Sequence, residues 1–369
     1  MNMVEETVLE IDLQALEHNY HYLRSKINKD TLFLGVVKAF AYGSDSVAIA
    51  KKLEALGANY LAVAYTYEGV VLRDAGIKLP ILVLHPQRVQ YTTLIERCLE
   101  PSLYSPTMLT SFLQTAKALK QSNYPVHLKL NTGLNRIGFS ENEVDFIADQ
   151  LKGAQQIKVT SILSHLAASE DLSEKAFTLS QIATFERISK TLTSKLDYQP
   201  LKHILNTSGI INYPEAQYNM VRSGIGLYGY GNEASEDAKL IPVATLKTIV
   251  SQIHHIGPNE SVGYNRGFIS NSPMVTATLP IGHADGIGRV YGNHKGHVWI
   301  NEQLAPIIGN VCMDMLMIDI TEIDCKEGDE VIVFGKNHSA DKMASYSNSI
   351  SYELLTGISQ RIRRVYLDN

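Results

Sequence analysis

The chain has 369 residues, of which 45% are hydrophobic and 19% are charged, and its formal net charge is −5. This length exceeds one ordinary core and suits a large domain of about 200 to 250 residues with a smaller one. The negative charge argues against nucleic acid or an anionic membrane as the main partner.

The cysteines and the first residues bear on the compartment. Cys98, Cys312 and Cys325 are widely spaced and lack CxxC spacing, so they indicate free thiols rather than a disulfide framework or a metal site. The chain starts with acidic residues instead of a secretory signal, and no apolar run approaches the ~20 residues of a membrane span. We therefore expect a cytoplasmic protein.

Strand-like and helical patterns alternate through the N-terminal part. Residues 7–11 predict a short strand, and Asp12 is suited to cap a helix through Leu13 and Tyr20. Further strand-like runs occur at 33–37, 60–64, 81–84, 126–130, 157–163 and 203–205. This alternation predicts a parallel sheet, and both a closed (β/α)8 barrel and an open doubly wound sheet fit it.

One glycine pattern could be mistaken for a nucleotide site. Residues 224–229 match the dinucleotide-binding pattern GxGxxG. That motif needs a helix to follow, and Tyr230 and Gly231 are poorly suited to begin one, which argues against NAD binding.

The composition changes at residues 232–238, which are polar and acidic and predict a domain boundary. Beyond it, short strand-like runs lie between Gly, Asn and Asp turns, at 275–279, 297–300, 316–320 and 330–334. They predict an all-β domain, with helical or mixed character returning at 341–364.

Lys38 ends the apolar run at 33–37. Burial penalises the charged form of a lysine, so its amine can approach the neutral state that attacks a carbonyl to form a Schiff base. A strand-end lysine that extends its ammonium group to water fits the same residues.

A family motif surrounds Lys38. Residues 36–43 read VVKAFAYG and resemble the pyridoxal-phosphate (PLP) lysine motif of the alanine racemases. Matching segments recur in order as far as Tyr352, so the resemblance covers nearly the whole chain. It implies a PLP-binding (β/α)8 TIM-type barrel at 11–235, a C-terminal β-domain at 236–369, an N-terminal strand at 1–10 that joins the β-domain, and a homodimer.

Racemisation removes a weakly acidic Cα proton and returns one to the opposite face, so two bases on opposite faces suit it. The resemblance implies that Lys38 is the first base and that Tyr264, in SVGYNR, is the second. In that family the tyrosine serves the partner subunit's site. A half-buried packing residue is the other reading of a tyrosine in a Gly-rich turn.

Two residues near 130 match the family's substrate site. Arg136 resembles the arginine that binds the substrate carboxylate, for which a planar guanidinium is suited, although a solvated loop arginine fits the same residues. Lys129 aligns with a lysine that is often carbamylated in the family, which would turn it into an anion that holds Arg136.

Arg222 matches the arginine that faces the pyridine nitrogen of PLP. Guanidinium only donates hydrogen bonds, so the ring nitrogen must accept and stay unprotonated. Such a ring is a weaker electron sink, which guards against transamination. His165 resembles the histidine that links this arginine to the catalytic tyrosine, and a core histidine is the alternative reading.

The resemblance also implies a phosphate cradle of donors that add no charge. Its members are Tyr42, Asn206, Thr207, Gly224, Ile225 and Tyr352. Met313 and Asp314 match a segment that closes the site from the β-domain.

Five positions depart from the family pattern without removing a catalytic group: Phe40, Ser44, Asp45, Asn131 and His283. His283 replaces a tyrosine near the substrate access, and its smaller ring could admit a bulkier side chain.

The resemblance favours an alanine racemase that supplies D-alanine for the bacterial cell wall. A racemase of larger amino acids such as serine or lysine, or a related decarboxylase, remains an alternative. A PLP carrier without turnover usually resembles the barrel alone, so the additional β-domain with Tyr264 argues against this alternative. The histidines show no HExxH spacing, which argues against a metal hydrolase.

Overall fold

A computed structural model describes residues 6–231 and 234–367. The first five residues of the predicted segment 1–10, and residues 232 and 233 of the predicted boundary, lie outside this description. The described residues form two compact units, which we call the barrel unit (17–41 and 46–240) and the β-unit (6–16, 42–45 and 241–367).

Strand β1 (Val8–Asp12) belongs to the β-unit, and the next eight strands form one parallel sheet in the barrel unit. Their bounds are β2 Leu32–Val36, β3 Tyr60–Val63, β4 Ile81–Val83, β5 Glu100–Leu103, β6 Tyr124–Lys129, β7 Ile157–Leu163, β8 Leu201–His203 and β9 Met220–Ser223. The sheet order is β8-β7-β6-β5-β4-β3-β2-β9. Backbone N–H groups of Asn219 and Arg222 donate to the carbonyls of Lys202 and Leu205, each at 3.1 Å, which continue the sheet between its two ends. The barrel is therefore nearly closed.

Helices alternate with these strands as the sequence pattern predicts. They span Leu13–Ser25, Ser46–Ala55, Thr66–Asp74, Tyr91–Glu96, Pro106–Ala118, Val144–Leu151, Lys175–Thr193, Thr207–Asn212 and Ala234–Asp237. Asp12 caps the first one, because its Oδ1 accepts from the N–H groups of Gln14 and Ala15 at 2.9 and 2.8 Å.

Strands β5 and β9 do not appear among the predicted strands. Glu100 and Pro101 interrupt the apolar pattern of β5, and Arg222 interrupts that of β9, yet all three side chains are buried. The GxGxxG segment forms a 3-10 turn, Ile225–Tyr228, which ends on Gly229 in the left-handed conformation instead of beginning an α-helix.

The β-unit contains a nine-stranded sheet that includes β1. Its other strands are β10 Ala244–Ile249, β11 Gln252–Ile256, β14 Met274–Leu279, β15 His297–Ile300, β16 Gln303–Ile308, β17 Leu316–Asp319, β18 Glu330–Phe334 and β19 Arg363–Leu367, and a separate pair consists of β12 Ser261–Val262 and β13 Phe268–Ile269. The order of the nine-stranded sheet is β11-β14-β17-β16-β15-β18-β10-β1-β19. Strand β1 pairs antiparallel with β10 and parallel with β19.

Two short helices, Ala340–Ser345 and Ser351–Thr356, lie in the last part of the β-unit. The predicted fold class, a (β/α)8 barrel followed by a β-domain, is confirmed. Among the residues described, no helix is both long and apolar enough to cross a lipid bilayer.

Candidate active site

Lys38 follows β2 and begins a left-handed turn, Lys38–Tyr42. The four residues after it, from Ala39 to Tyr42, have φ angles of 52° to 55°. Such angles cost on the order of 1–2 kcal/mol per non-glycine residue, so neighbouring contacts must hold the turn. One of these contacts is Glu68, whose Oε1 accepts from the N–H of Ala39 at 2.6 Å.

The surroundings of Lys38 disfavour the charged form of its amine relative to water. Burial and the neighbouring charge of Arg136 lower the pKa of this lysine, while Glu68 acts in the opposite direction. The amine is thus nearer to its nucleophilic form than a solvated lysine would be.

Lys129 ends β6 and is only 6% exposed. Burial and the charges of Arg136, Arg222 and Lys38 lower its pKa to about 7. Lys129 therefore lies close enough to Arg136, Arg222 and Lys38 for their charges to interact. Lys129 is buried, whereas Lys38 is half-buried and Arg136 is exposed.

Arg136 lies on the loop after β6 and is exposed. The amide of Asn131 shapes this loop, because its Oδ1 accepts from the N–H groups of Gly133 and Asn135 at 3.2 and 3.1 Å. Asn131 therefore supplies the side-chain acceptor that holds this loop. Within 6–231 and 234–367, no carboxylate forms an ion pair with Arg136.

Arg222 is buried on β9, and its terminal nitrogens are held by backbone and imidazole acceptors. Nη2 donates to the carbonyls of Ser164 and Ile204 at 2.6 and 3.2 Å, and Nη1 lies 2.7 Å from Nδ1 of His203. Burial lowers the pKa of Arg222 to about 10. These bonds use Nη1 and Nη2, and among the residues described the Nε–H keeps no acceptor of its own.

His165 follows β7, and its Nδ1 lies 3.3 Å from Nη2 of Arg222. Because Arg222 can only donate, this Nδ1 is the acceptor and the ring proton is on Nε2. Burial, and then the charge of Arg222, lower the pKa of His165 well below its usual range, which keeps the ring neutral.

The predicted phosphate residues of the barrel unit lie at the ends of β8 and β9. Asn206 caps the helix Thr207–Asn212 with its Oδ1, which accepts from Gly209 at 2.9 Å. The Thr207 hydroxyl accepts from the N–H of Gly226 at 3.2 Å. Gly224 and Ile225 lie at the start of the 3-10 turn, so their N–H groups have no acceptor within the turn.

The other two phosphate residues, Tyr42 and Tyr352, belong to the β-unit, where their ring centroids are 5.9 Å apart. Burial raises the pKa of Tyr42, which keeps its hydroxyl protonated as a donor. Gly43, which follows Tyr42, has a φ of 81°, and a Cβ at this position would lie 1.9 Å from the carbonyl oxygen of Leu355. Only glycine fits at this position.

Two of the departures are also held within the β-unit. The hydroxyl of Tyr366 donates to Oδ2 of Asp45 at 2.6 Å, and Arg364 donates to the carbonyls of Gly43 and Ser44 at 2.8 and 3.2 Å. Phe40, in the barrel unit, is exposed.

Tyr264 lies in the β-unit on a 3-10 turn, Tyr264–Arg266, and its side chain is 73% exposed. Gly263, which precedes it, has a φ of 77°, and Asn310 donates to the Tyr264 carbonyl at 3.0 Å. The turn therefore presents the phenol at the surface of this unit.

The remaining predicted residues lie close together in the β-unit. The N–H of Ala284, next to the exposed His283, donates to the carbonyl of Met313 at 3.0 Å. Arg361 connects Asp314 at 2.7 Å with buried Asp285 at 2.6 Å, so an ion-pair cluster holds the segment that carries Met313.

The sequence did not identify Glu68, which accepts a hydrogen bond from Ala39 next to Lys38, or His203, which contacts Arg222. His203 is fully buried in a strand-like run. A titratable residue in such a run indicates a buried polar contact, and this pattern could have identified it. Glu68 gives no comparable signal, because a glutamate in the first turn of a helix is common.

Comparisons with known proteins agree with this geometry. The alanine racemase N-terminal domain matches residues 11–232, and the alanine racemase C-terminal domain matches residues 243–366. Alanine racemase 1 of Clostridium acetobutylicum is 36% identical and covers 98% of this chain and 95% of its own.

Two solved structures are also similar over the whole chain. Alanine racemase from Bacillus anthracis with bound L-Ala-P has 29% identity and a TM-score of 0.92, covering 100% of this chain and 97% of its own. Alanine racemase from Bartonella henselae with covalently bound pyridoxal phosphate has 27% identity and a TM-score of 0.90, covering 99% and 100%. The protein therefore belongs to the alanine racemase family.

Proposed function

We propose that this protein interconverts L- and D-alanine with PLP as its cofactor. The observation that carries the proposal is an amine of lowered pKa, Lys38, beside Arg136, an exposed arginine that no described carboxylate pairs. An amine that can become neutral suits covalent attachment of an aldehyde, and the arginine suits a substrate carboxylate.

The residues present fit PLP. Uncharged donors collect at the ends of β8 and β9, where barrels of this kind commonly bind phosphate, and Arg222 keeps an Nε–H for the ring nitrogen. When bound, PLP supplies the electron sink that stabilises negative charge at Cα. We assign the phosphate to Tyr42, Asn206, Thr207, Gly224, Ile225 and Tyr352.

Each reacting group then has one role. Lys38 holds the cofactor and afterwards takes or returns the Cα proton on one face. Tyr264 of a partner subunit does so on the other face. Arg136 orients the substrate carboxylate, and His165 links Arg222 to the phenol.

Lys129 supports Arg136 rather than the chemistry itself. Its pKa near 7 leaves much of the amine neutral at neutral pH, which is the form that reacts with carbon dioxide. Carbamylation would place a negative charge among the surrounding cations and fix Arg136. Met313, Asp314 and His283 would limit access to the site from the β-domain.

The proposed function also includes an oligomeric state and a cellular compartment for this protein. We propose a cytoplasmic homodimer, with domains at 1–10, 11–235 and 236–369, that supplies D-alanine for cell-wall precursors. The exposed side chain of Tyr264 supports a role that is completed by another subunit.

Borohydride reduction and a chiral assay test the proposal together. Reduction of the purified holoenzyme should leave a pyridoxyl label on Lys38, and alanine should racemise faster than serine or lysine. A label on another lysine would end the assignment of Lys38. Conversion of alanine to ethylamine, or no turnover of any of the three amino acids, would reject the racemase.

A further inference from the structure

A row of buried polar side chains runs across the neighbouring strands β5 to β8 and ends on Arg222 of β9. We call Glu100, His127, Ser161 and His203 the relay. Nη1 of Arg222 lies 2.7 Å from Nδ1 of His203, whose Nε2 lies 2.8 Å from Oγ of Ser161. This hydroxyl lies 2.6 Å from Nδ1 of His127, whose Nε2 lies 2.7 Å from Oε2 of Glu100. All five side chains are buried, and the roles assigned above use neither Glu100 nor His127 nor Ser161.

The end next to Arg222 determines the protonation of His203. Guanidinium only donates, so Nδ1 of His203 accepts and its proton must be on Nε2. This ring is therefore neutral, in agreement with its pKa, which burial and then Arg222 lower well below the usual range. Its Nε2–H donates to Ser161.

The end at Glu100 determines the protonation of His127. Ser161 accepts from His203, and among the described residues its own O–H has only Nδ1 of His127 as an acceptor. A neutral His127 with its proton on Nε2 satisfies every donor, since Nε2–H then donates to the Glu100 carboxylate. All four hydrogen bonds thus run from Arg222 towards Glu100.

A further contact anchors the far end. The Tyr60 ring lies edge-on to His127 with centroids 6.0 Å apart, and burial and then the charge of Glu100 raise the pKa of Tyr60, so its hydroxyl stays protonated. The Glu100 carboxylate thus remains the acceptor at the end of the row.

We propose that the relay is a positioning device that fixes the guanidinium of Arg222 and so keeps its Nε–H directed at the ring nitrogen of the bound cofactor. The proposal rests on the proposed function. Hydrogen bonds in series polarise one another, so the relay passes part of the acceptor strength of a carboxylate to Arg222 without placing a carboxylate beside it. Breaking the row should weaken the hold on Nη1 while the carbonyls of Ser164 and Ile204 still hold Nη2, so the Nε–H would be less firmly directed at the ring nitrogen, which would more often gain a proton.

The first test uses the cofactor-free protein and nitrogen NMR of its histidines. Wild type should show His127 and His203 as neutral Nε2–H rings whose N–H protons exchange slowly with water. Ser161→Ala should abolish the slow exchange at His203. Ser102→Ala is the matched control, because Ser102 is a buried serine of the same barrel whose hydroxyl has no hydrogen-bond partner in the described residues.

The second test uses the holoenzyme and measures how often turnover of alanine converts the cofactor to its pyridoxamine form. Ser161→Ala should raise this fraction roughly tenfold, the size expected for one lost buried hydrogen bond. Glu100→Gln should raise it in the same direction while keeping the shape of the side chain. Ser102→Ala should leave it at the wild-type value.

The outcomes separate the relay from the proposed activity. A doubly protonated His127, or an Nδ1–H form of either ring, overturns the relay whatever the activity. So does an active enzyme in which Ser161→Ala and Glu100→Gln behave like Ser102→Ala. Wild type that shows both Nε2–H rings but does not racemise alanine would instead reject the proposed function.

Discussion

The backbone N–H of Ala39 donates to Oε1 of Glu68 at 2.6 Å, so a side chain from the helix Thr66–Asp74, which follows β3, holds the residue after Lys38. The other oxygen of Glu68 accepts from the N–H groups of Ala64 and Tyr65 at 2.6 and 3.1 Å. One carboxylate thereby joins the loops after β2 and β3, and the strained turn that carries Lys38 depends on it.

Glu68→Gln should weaken this link, because the amide keeps only one oxygen acceptor. We expect the free energy of unfolding to fall by about 1–2 kcal/mol, as for a lost hydrogen bond to a charged acceptor. Urea denaturation of the cofactor-free protein measures this change. Glu174→Gln, at an exposed position of the same unit, is the control, and equal shifts in both variants would contradict the role of Glu68.

Lys129 should make stability depend on pH. Its folded pKa of about 7 lies below its unfolded value of ~10.4, so the unfolded chain binds more protons between these values. In buffer free of carbon dioxide, the unfolding free energy of wild type relative to Lys129→Met should therefore rise from about pH 7 to about pH 10. Parallel pH curves for the two proteins would contradict the lowered pKa.

The same neutral amine should bind carbon dioxide. Wild type in carbon-13 bicarbonate should show a carbamate signal by NMR, and Lys129→Met should lack it. Lys152→Met, at an exposed position of the barrel unit, should retain the signal. A signal that persists in Lys129→Met would place the carbamate elsewhere.

Arg136→Lys should mainly weaken substrate binding. Lysine cannot form the two parallel hydrogen bonds that a guanidinium makes with a carboxylate. We expect KM for alanine to rise roughly 10- to 100-fold, the equivalent of one charged hydrogen bond, with a smaller change in kcat. Arg88→Lys, on the exposed surface of the barrel unit, is the control, and an unchanged KM for Arg136→Lys would exclude the carboxylate role.

Tyr264→Phe should act on one direction of racemisation more than on the other. The phenol is assigned to one face of Cα, so exchange of the Cα proton with deuterated water should slow far more from one enantiomer. Tyr67→Phe is a control of similar exposure, 71% against 73%. Equal losses from both enantiomers would contradict two bases on opposite faces.

Some site residues could be found from the chain itself because their surroundings are local. Lys38 ends an apolar run, and Asn131 shapes its loop by hydrogen bonds to residues two and four positions later. The predicted cap at Asp12 acts on residues two and three positions later. Such short-range relations appear in sequence spacing.

Sequence by itself determined the α/β alternation, the change to an all-β pattern, and the motifs that mark Lys38, Arg136, Arg222 and Tyr264. Only the tertiary structure decided that β5 and β9 are strands and that Glu100 and Arg222 are tolerated inside the barrel. The partners that satisfy these buried charges lie far along the chain, since His127 is 27 residues from Glu100 and His203 is 19 residues from Arg222. Burying a charge is costly without a partner, and no local pattern shows which distant strand will supply one.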